Sequence, residues 1–334
     1  MPVQPEEKRM YMQAIQIIGA GSAEPARVVT NDDLANIMDT SDDWIFPRTG
    51  IHSRRFCAED ETAGTLAHRA AEAAIRDAGI KKEDLDLILV ASMSSDYAAP
   101  TIAATLQKTL GLREIPALDI NAACSGFIYG LEVARGLLMA SRKRYALVVG
   151  SEQLSRLLSM EDRNTAVLFG DGAGACIVEL LPEDAGIENG TKPLYEALLG
   201  SRGSDVILAP GCYGTTPVDH MLMDGKEVFL FAVKTIPEVL EALLEKSGLA
   251  LEDLDYVVCH QANARIIRNV VRKLHAREEQ FFMNMETYGN TSGASIPMAL
   301  AEMKQKNLLK HGAKLALIGF GAGLTYGGAL LTVR

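Results

Sequence analysis

Three residues in this 334-residue chain have the type and local setting for nucleophilic chemistry: Cys124, His260 and Asn290. Cys124 lies in ALDINAACSGFIYGLEVARGLL, where ALDI reads as a strand and FIYGLEVARGLL as a helix with apolar spacing. The small residues around it make a tight strand-to-helix turn. The unpaired N–H groups and dipole of a helix N-terminus favour a thiolate over a thiol, as an acyl-accepting nucleophile requires. A buried structural cysteine is the alternative. His260 follows the apolar run DYVVC and precedes the helix-like QANARIIRNVVRKL. It therefore stands at the carboxyl end of a strand, where α/β sheets build their sites. A lone histidine can equally be a satisfied core residue. Asn290, in TYGNTSGASIPMALAEM, precedes another helix, which it could simply cap.

The elements that must position these residues come from an internal repeat. GIKKEDLDLILVAS, from Gly79, recurs as GLALEDLDYVVCHQ, from Gly248, a shift of 169 residues. Each copy follows a helix-like segment, AAEAAIRDAG or VLEALLEKSG. The same shift pairs YALVVG with KLALIG, Asn121 with Asn290, Ala91 with His260 and Cys124 with Gly293. One register held so long predicts two similar α/β halves, residues 1–184 and 185–334, joined near 182–192. Alternating strands and helices predict a mostly parallel sheet in each. Matched positions in two such halves face a common centre, so Cys124, His260 and the helix behind Asn290 converge there.

Composition narrows the function. Asp and Glu number 43 against 33 Lys and Arg, a net charge of −10, which argues against nucleic acid as the main partner. Five cysteines (57, 124, 176, 212, 259) are odd in number and lack zinc-site spacing. They fit reduced thiols in a cytoplasmic protein, with no metal. The start, MPVQPEEKRM, carries no apolar run of the secretory type. Residues 315–333 are nineteen uncharged residues long, yet five are glycine. Two buried strands joined by a Gly-rich turn fit them better than a membrane span. GDGAGA at 170–175 fits a dinucleotide fingerprint by letter, but a strand-like CIVEL follows where a helix is required. Positive charge concentrates on the helix after His260. Arg265, Arg268 and Arg272 share one face, with Lys273 and Arg277 nearby, above a stripe of Ile267, Val270, Val271 and Leu274. That face is either solvated or a dock for an acidic partner.

CSGF around Cys124, HQANARI from His260 and GNTSGASIP around Asn290 resemble β-ketoacyl-acyl-carrier-protein synthase III. So do DDWIFPRTGI (42–51), FGDGAGA (169–175) and GFGAGLTYGG (319–328). The resemblance implies a thiolase-like, five-layered αβαβα fold of duplicated mixed-sheet halves, assembled as a homodimer. It implies a decarboxylative condensation of an acyl-CoA primer with malonyl-acyl-carrier protein, through an acyl group on Cys124. His260 and Asn290 would stabilise the enolate, and the N–H groups of Cys124 and Ala322 the other oxyanion. Elongating synthases carry a second histidine where Asn290 stands, which favours the initiating type. By the same resemblance Trp44 and Arg163 would enclose the CoA adenine, Arg48 would meet phosphate and Asn263 the pantetheine arm. No tightly bound cofactor is implied. Arg265, Arg268, Arg272 and Lys273 would meet the carrier protein, although Leu230 stands where relatives often have lysine. Ala99 replaces the aromatic that closes the acyl pocket across the dimer, which implies room for longer or branched primers. Two other readings remain at this level: a relative using another acceptor or making a polyketide starter, and a CoA- or carrier-binding protein with an inert thiol.

Overall fold

The computed structural model describes residues 13–183, 185, 193–211 and 218–334. The N-terminal segment MPVQPEEKRM, most of the 182–192 join and Cys212 lie outside the described residues. One sheet is built from β1 (Ile15–Ala23), β2 (Leu87–Ala91), β3 (Ala117–Ile120), β4 (Tyr145–Glu152) and β5 (Gly172–Leu180), in the order β1-β5-β4-β2-β3. The other is built from β6 (Tyr195–Ser201), β7 (Tyr256–Cys259), β8 (Lys314–Gly321) and β9 (Thr325–Thr332), in the order β7-β8-β9-β6. Helices relevant to the site are α1 (Asp42–Thr49), α2 (Ala63–Ala78), α3 (Ile102–Thr109), α4 (Gly126–Ser141), α5 (Gly225–Ser247), α6 (Ala264–Lys273) and α7 (Ser295–Gln305).

Alternation along the strands makes the layers. Leu87 and Leu89 of β2, Ala146 and Val148 of β4, and Leu315 and Leu317 of β8 point into one shared core. There they meet Phe127, Leu131, Ala134 and Leu138 of α4, and Ile296, Ala299, Leu300 and Met303 of α7, apolar at helical spacing. Ile88, Val90, Leu147 and Val149 face the other way, onto the alanine-rich stripe of α2 and onto α3. On the far side, Val257, Ala316 and Ile318 pack against α5 and α6. The result is the five-layered thiolase-like αβαβα arrangement, with α4 and α7 in the middle layer.

The 169-residue repeat is physical. It superposes β2 on β7, β4 on β8 and the start of α4 on the start of α7. It also pairs the left-handed helix caps Gly79 (φ 66°) and Gly248 (φ 70°). The expectation of mostly parallel sheets is corrected. β2 runs parallel to β3 and β4, and β7 to β8, but β5 is antiparallel to both β1 and β4, and β9 to both β8 and β6. The reason is the connection. β8 reaches β9 through only Ala322–Leu324, and no α-helix separates β4 from β5. A chain that returns without a crossover helix pairs antiparallel. The apolar, glycine-containing stretch 315–333 is accordingly two buried strands and their turn.

The halves meet through twin glycines. A Cβ on Gly150 of β4 would lie 2.2 Å from the Gly293 carbonyl oxygen, and one on Gly319 of β8 would lie 2.9 Å from Ser125 Cα. Each glycine thus admits the turn that starts the other half's central helix. Gly150→Ala is expected to lower the free energy of unfolding by about 2–3 kcal/mol, because the obstacle is backbone. Gly136→Ala, on the exposed face of α4 with open space at its Cβ, is expected to raise it by about 0.5–1 kcal/mol. Denaturant melts of both variants check the opposite signs.

Candidate active site

Both central helices begin with a one-turn 3-10 segment, Ala123–Ser125 before α4 and Ser292–Ala294 before α7. The first residues of these turns, Ala123 and Ser292, are twins in the repeat and share a left-handed conformation (φ 45° and 48°). Non-glycine residues hold that conformation at a cost of order 1–3 kcal/mol, so the surrounding structure must enforce it. It turns Cys124 inward, 8% exposed, toward the ends of β7 and β8. Gly321, which ends β8, makes room. A Cβ there would stand 2.7 Å from Cys124 Cβ and 2.8 Å from its nitrogen.

His260 is 1% exposed. Its N–H donates to the Ile318 carbonyl of β8 at 2.8 Å, and its ring meets Phe320 edge-on at 5.1 Å. Ser295, at the start of α7, orients the ring: its Oγ lies 2.7 Å from His260 Nδ1 and accepts the Gln261 N–H at 3.3 Å. With the hydroxyl proton turned to Nδ1, the imidazole carries its own proton on Nε2. Burial pushes the imidazole pKa down to about 3, so the ring is a neutral donor. Asn290 is clamped by backbone. Its N–H donates to Leu168 O at 2.8 Å, and its carbonyl accepts the Gly170 N–H at 2.9 Å. Its side-chain Oδ1 accepts the Ser292 N–H at 2.8 Å, which leaves the amide NH₂ as the other neutral donor.

These groups line one narrow cavity of about 110 Å³. Cys124, His260, Asn290 and Ala322 share it, with Phe169, Ile207 and Met221 among its apolar walls. The backbone N–H groups of Cys124 and Ala322 favour the charged form of the Cys124 sulfur. One expectation is corrected: the resting sulfur is a neutral thiol. Burial pushes its pKa up to about 12, and Glu152 adds to the rise. The Ser292 hydroxyl and the two N–H groups pull the other way and do not win. A single turn of 3-10 helix in a closed site does not offset the loss of water around a charged sulfur.

Leu168, Met223, Gly225 and Asn263 also line an outer mouth of about 1100 Å³. Trp44, Arg48 and Arg163 lie there together. Both guanidinium carbons sit 4.9 Å from the Trp44 ring centre. Arg48 donates to the Trp44 carbonyl at 3.0 Å and Arg163 to the Asp39 carbonyl at 2.9 Å. Asn263 caps α6 through the Arg265 N–H at 2.8 Å and donates to Arg48 O at 3.0 Å. A shallower hollow of about 430 Å³ is lined by Arg265, Arg268 and Arg272, with Phe229 shared with the inner cavity. Arg268 pairs with Glu278 at 3.5 Å. Lys273 is exposed but does not line the hollow, and Leu230 on α5 is 50% exposed. Ala99 is also exposed and does not line this cavity.

Comparisons with known proteins give the family. Residues 118–191 match the family described as 3-oxoacyl-[acyl-carrier-protein (ACP)] synthase III, and residues 244–333 match its C-terminal part. A β-ketoacyl-[acyl-carrier-protein] synthase III of Clostridium acetobutylicum is 44% identical over 96% of this chain and 99% of its own. The chain belongs to the 3-oxoacyl-[acyl-carrier-protein] synthase III family. The crystal structure of the synthase III of Aquifex aeolicus superposes with a TM-score of 0.87 at 40% identity, covering 96% of this chain and 100% of that one. That of Thermus thermophilus gives 0.89 at 38%, covering 96% and 99%.

Sequence reasoning missed Ser292, Ser295 and Glu152. Both serines stand inside GNTSGASIP, and Glu152 ends the repeated strand, matched to Gly321. A polar residue matched to a glycine across the repeat was the available signal.

In ¹⁵N spectra the His260 ring is expected to show Nε2 protonated and Nδ1 accepting, unchanged from pH 8 to pH 5. A titration near 6.5, the ordinary histidine value, would contradict the buried neutral imidazole.

Proposed function

We propose that this enzyme condenses an acyl-CoA primer with malonyl-acyl-carrier protein, with loss of CO₂, and so initiates fatty acid synthesis. The observation that carries the reading is convergence. A thiol, two neutral donors and two backbone N–H groups share a cavity of about 110 Å³ that opens on a Trp44–arginine mouth. Cys124 attacks the primer thioester, and the N–H groups of Cys124 and Ala322 hold the oxyanion while CoA leaves. The malonyl thioester then enters. As its carboxylate departs as CO₂, negative charge develops on the thioester oxygen, where His260 Nε2–H and the Asn290 amide donate. Removing one such donor typically slows a reaction by 10²–10³. Two neutral donors suit an enolate because they bring no charge into a buried site before the reaction begins. The carbanion attacks the acyl group on Cys124, and collapse of the tetrahedral oxyanion releases the 3-ketoacyl product.

In this reading the mouth takes CoA, with the adenine between Trp44 and Arg163, phosphate at Arg48 and the pantetheine arm passing Asn263. The hollow on α6 takes the acidic carrier. Arg265, Arg268 and Arg272 supply charge, Lys273 adds to the field, and Leu230 offers an apolar contact. The working unit is a cytoplasmic homodimer. Among the described residues β3 forms an open sheet edge, and in the loop between β2 and α3 Tyr97 is 65% exposed. Unpaired edges and exposed aromatics are what a second copy covers. Across that edge Ala99 would reach the partner's acyl pocket. Among the described residues no helix is long and apolar enough to cross a membrane.

Intact-protein mass after mixing with acyl-CoAs of increasing length tests the primer step. Wild type is expected to gain one acyl mass, including chains longer than acetyl. Cys124→Ala is expected to gain none, and Ala99→Phe to lose the longer chains by about 10–200-fold per methylene at most. Acylation of the Cys124→Ala protein would refute the nucleophile. An unaltered chain profile in Ala99→Phe would remove that residue from the pocket.

Arg272→Glu is expected to raise KM for malonyl-carrier several-fold, as added salt does for wild type, while acylation by acetyl-CoA is kept. Equal losses in both half-reactions would instead mean that the helix is structural.

A further inference from the structure

Met93 is half-buried in the loop between β2 and α3, and it lines the inner cavity together with Cys124. Like Cys124, Phe169 and Met221, it does not line the outer mouth. It packs instead on the closed apolar cluster of Leu154, Phe169 and Met221. Its backbone and its side chain are held very differently. The Met93 N–H donates to the Glu152 carboxylate at 3.2 Å, and the Ser92 hydroxyl donates to the same group at 3.4 Å. The Ser94 hydroxyl donates to it as well, and accepts the Gln153 N–H at 2.8 Å. Arg156 closes the loop by donating to the carbonyls of Ser94 and Ser95. The Met93 side chain has only the Ser292 hydroxyl, 3.8 Å from its sulfur, and a thioether is a weak acceptor.

Space is the limiting quantity. A dry apolar cavity of about 150 Å³ accepts a benzene-sized ligand, and the inner cavity here is about 110 Å³. A short acyl group fits, whereas a longer one must displace part of the wall. Phe169 and Met221 are 3% and 1% exposed, packed on every side. Met93 is less enclosed, unbranched and flexible, so it is the wall that yields at least cost. Glu152 is completely buried, a costly position for a carboxylate. Three consecutive residues, Ser92, Met93 and Ser94, converge on it. The loop backbone therefore cannot retreat when a chain presses on it. We propose that Met93 sets the depth of the acyl pocket, with Glu152 as the positioning residue that leaves only the thioether free to move. Short straight primers bind with Met93 in place. Longer or branched ones bind by turning it away from Ser292. The inference rests on the condensing-enzyme reading above and names the residue that selects its primer.

Single-turnover acylation with acetyl-, butyryl-, hexanoyl- and octanoyl-CoA, quenched and read by intact mass, tests the gate. The readout is the ratio of the octanoyl rate to the acetyl rate within each protein, so a general loss of activity cancels. Met93→Ala is expected to raise this ratio at least about tenfold over wild type, the scale on which apolar pockets discriminate. Met93→Phe, which fills the space with a ring, is expected to lower it by about as much. The opposite signs separate a gate from a folding defect, which would move both variants the same way. Glu152→Gln is expected to shift the ratio severalfold in the wild-type background and to leave it unchanged when Met93→Ala is already present. Non-additivity of that kind marks a residue acting through another, and a merely structural glutamate would not show it. A ratio equal to wild type in both Met93→Ala and Met93→Phe would overturn the gate alone. A Glu152→Gln shift of the same size in both backgrounds would overturn the positioning role. A wild-type protein that takes no acyl group from any of the four thioesters would overturn the gate and the condensing-enzyme reading together.

Discussion

Everything in the site depends on how closely two helix-starting turns can approach two strands. Gly150 and Gly319 occupy the same place in the two repeats, and each lies against the turn that opens the opposite half's central helix. A methyl group on either strand would push that turn outward. The left-handed Ala123 and Ser292 are the local expression of this crowding. Cys124 and Asn290 sit within two residues of those strained positions, so the catalytic geometry is a property of the interface between halves. Packed interiors deform little, which is why such a constraint can hold side chains to a fraction of an ångström.

Approximate symmetry then leaves the chemistry to the mismatches. Where one half has Ala91 the other has His260. Where one has Gly293 the other has Cys124, and where one has Gly321 the other has Glu152. Gly321 makes the space into which Cys124 projects, and Gly293 lies against Glu152. The site is correspondingly buried. His260 is held neutral and the Cys124 thiol protonated by the same loss of water. On these two groups charge therefore arises only as bonds change, against dipoles already aimed at it.

The surface follows the opposite logic. A chain with net charge −10 still presents three arginines along one face of α6, and two more against Trp44 at the mouth. Local charge, screened within about 8–10 Å, decides what an anionic ligand meets there. Phe229 borders both the arginine hollow and the inner cavity, so the outer dock and the reacting centre share a wall.

The sequence by itself determined the duplication, the strands and helices it repeats, and the three residue types at the centre. These signals are local periodicities and matched spacings, and the 169-residue register carried them into space almost unchanged. It also placed Cys124 on a turn and His260 at a strand end. Only the tertiary structure decided that β5 and β9 run antiparallel, because strand direction depends on which connections lack a crossover helix. Only the tertiary structure made Cys124 a thiol and brought Ser292, Ser295 and Glu152 to Cys124 and His260. A pKa and a hydrogen-bond partner are sums over neighbours distant in the chain. Helix-start context, read along the sequence, could report the dipole at Cys124 but not the depth at which the fold would bury it.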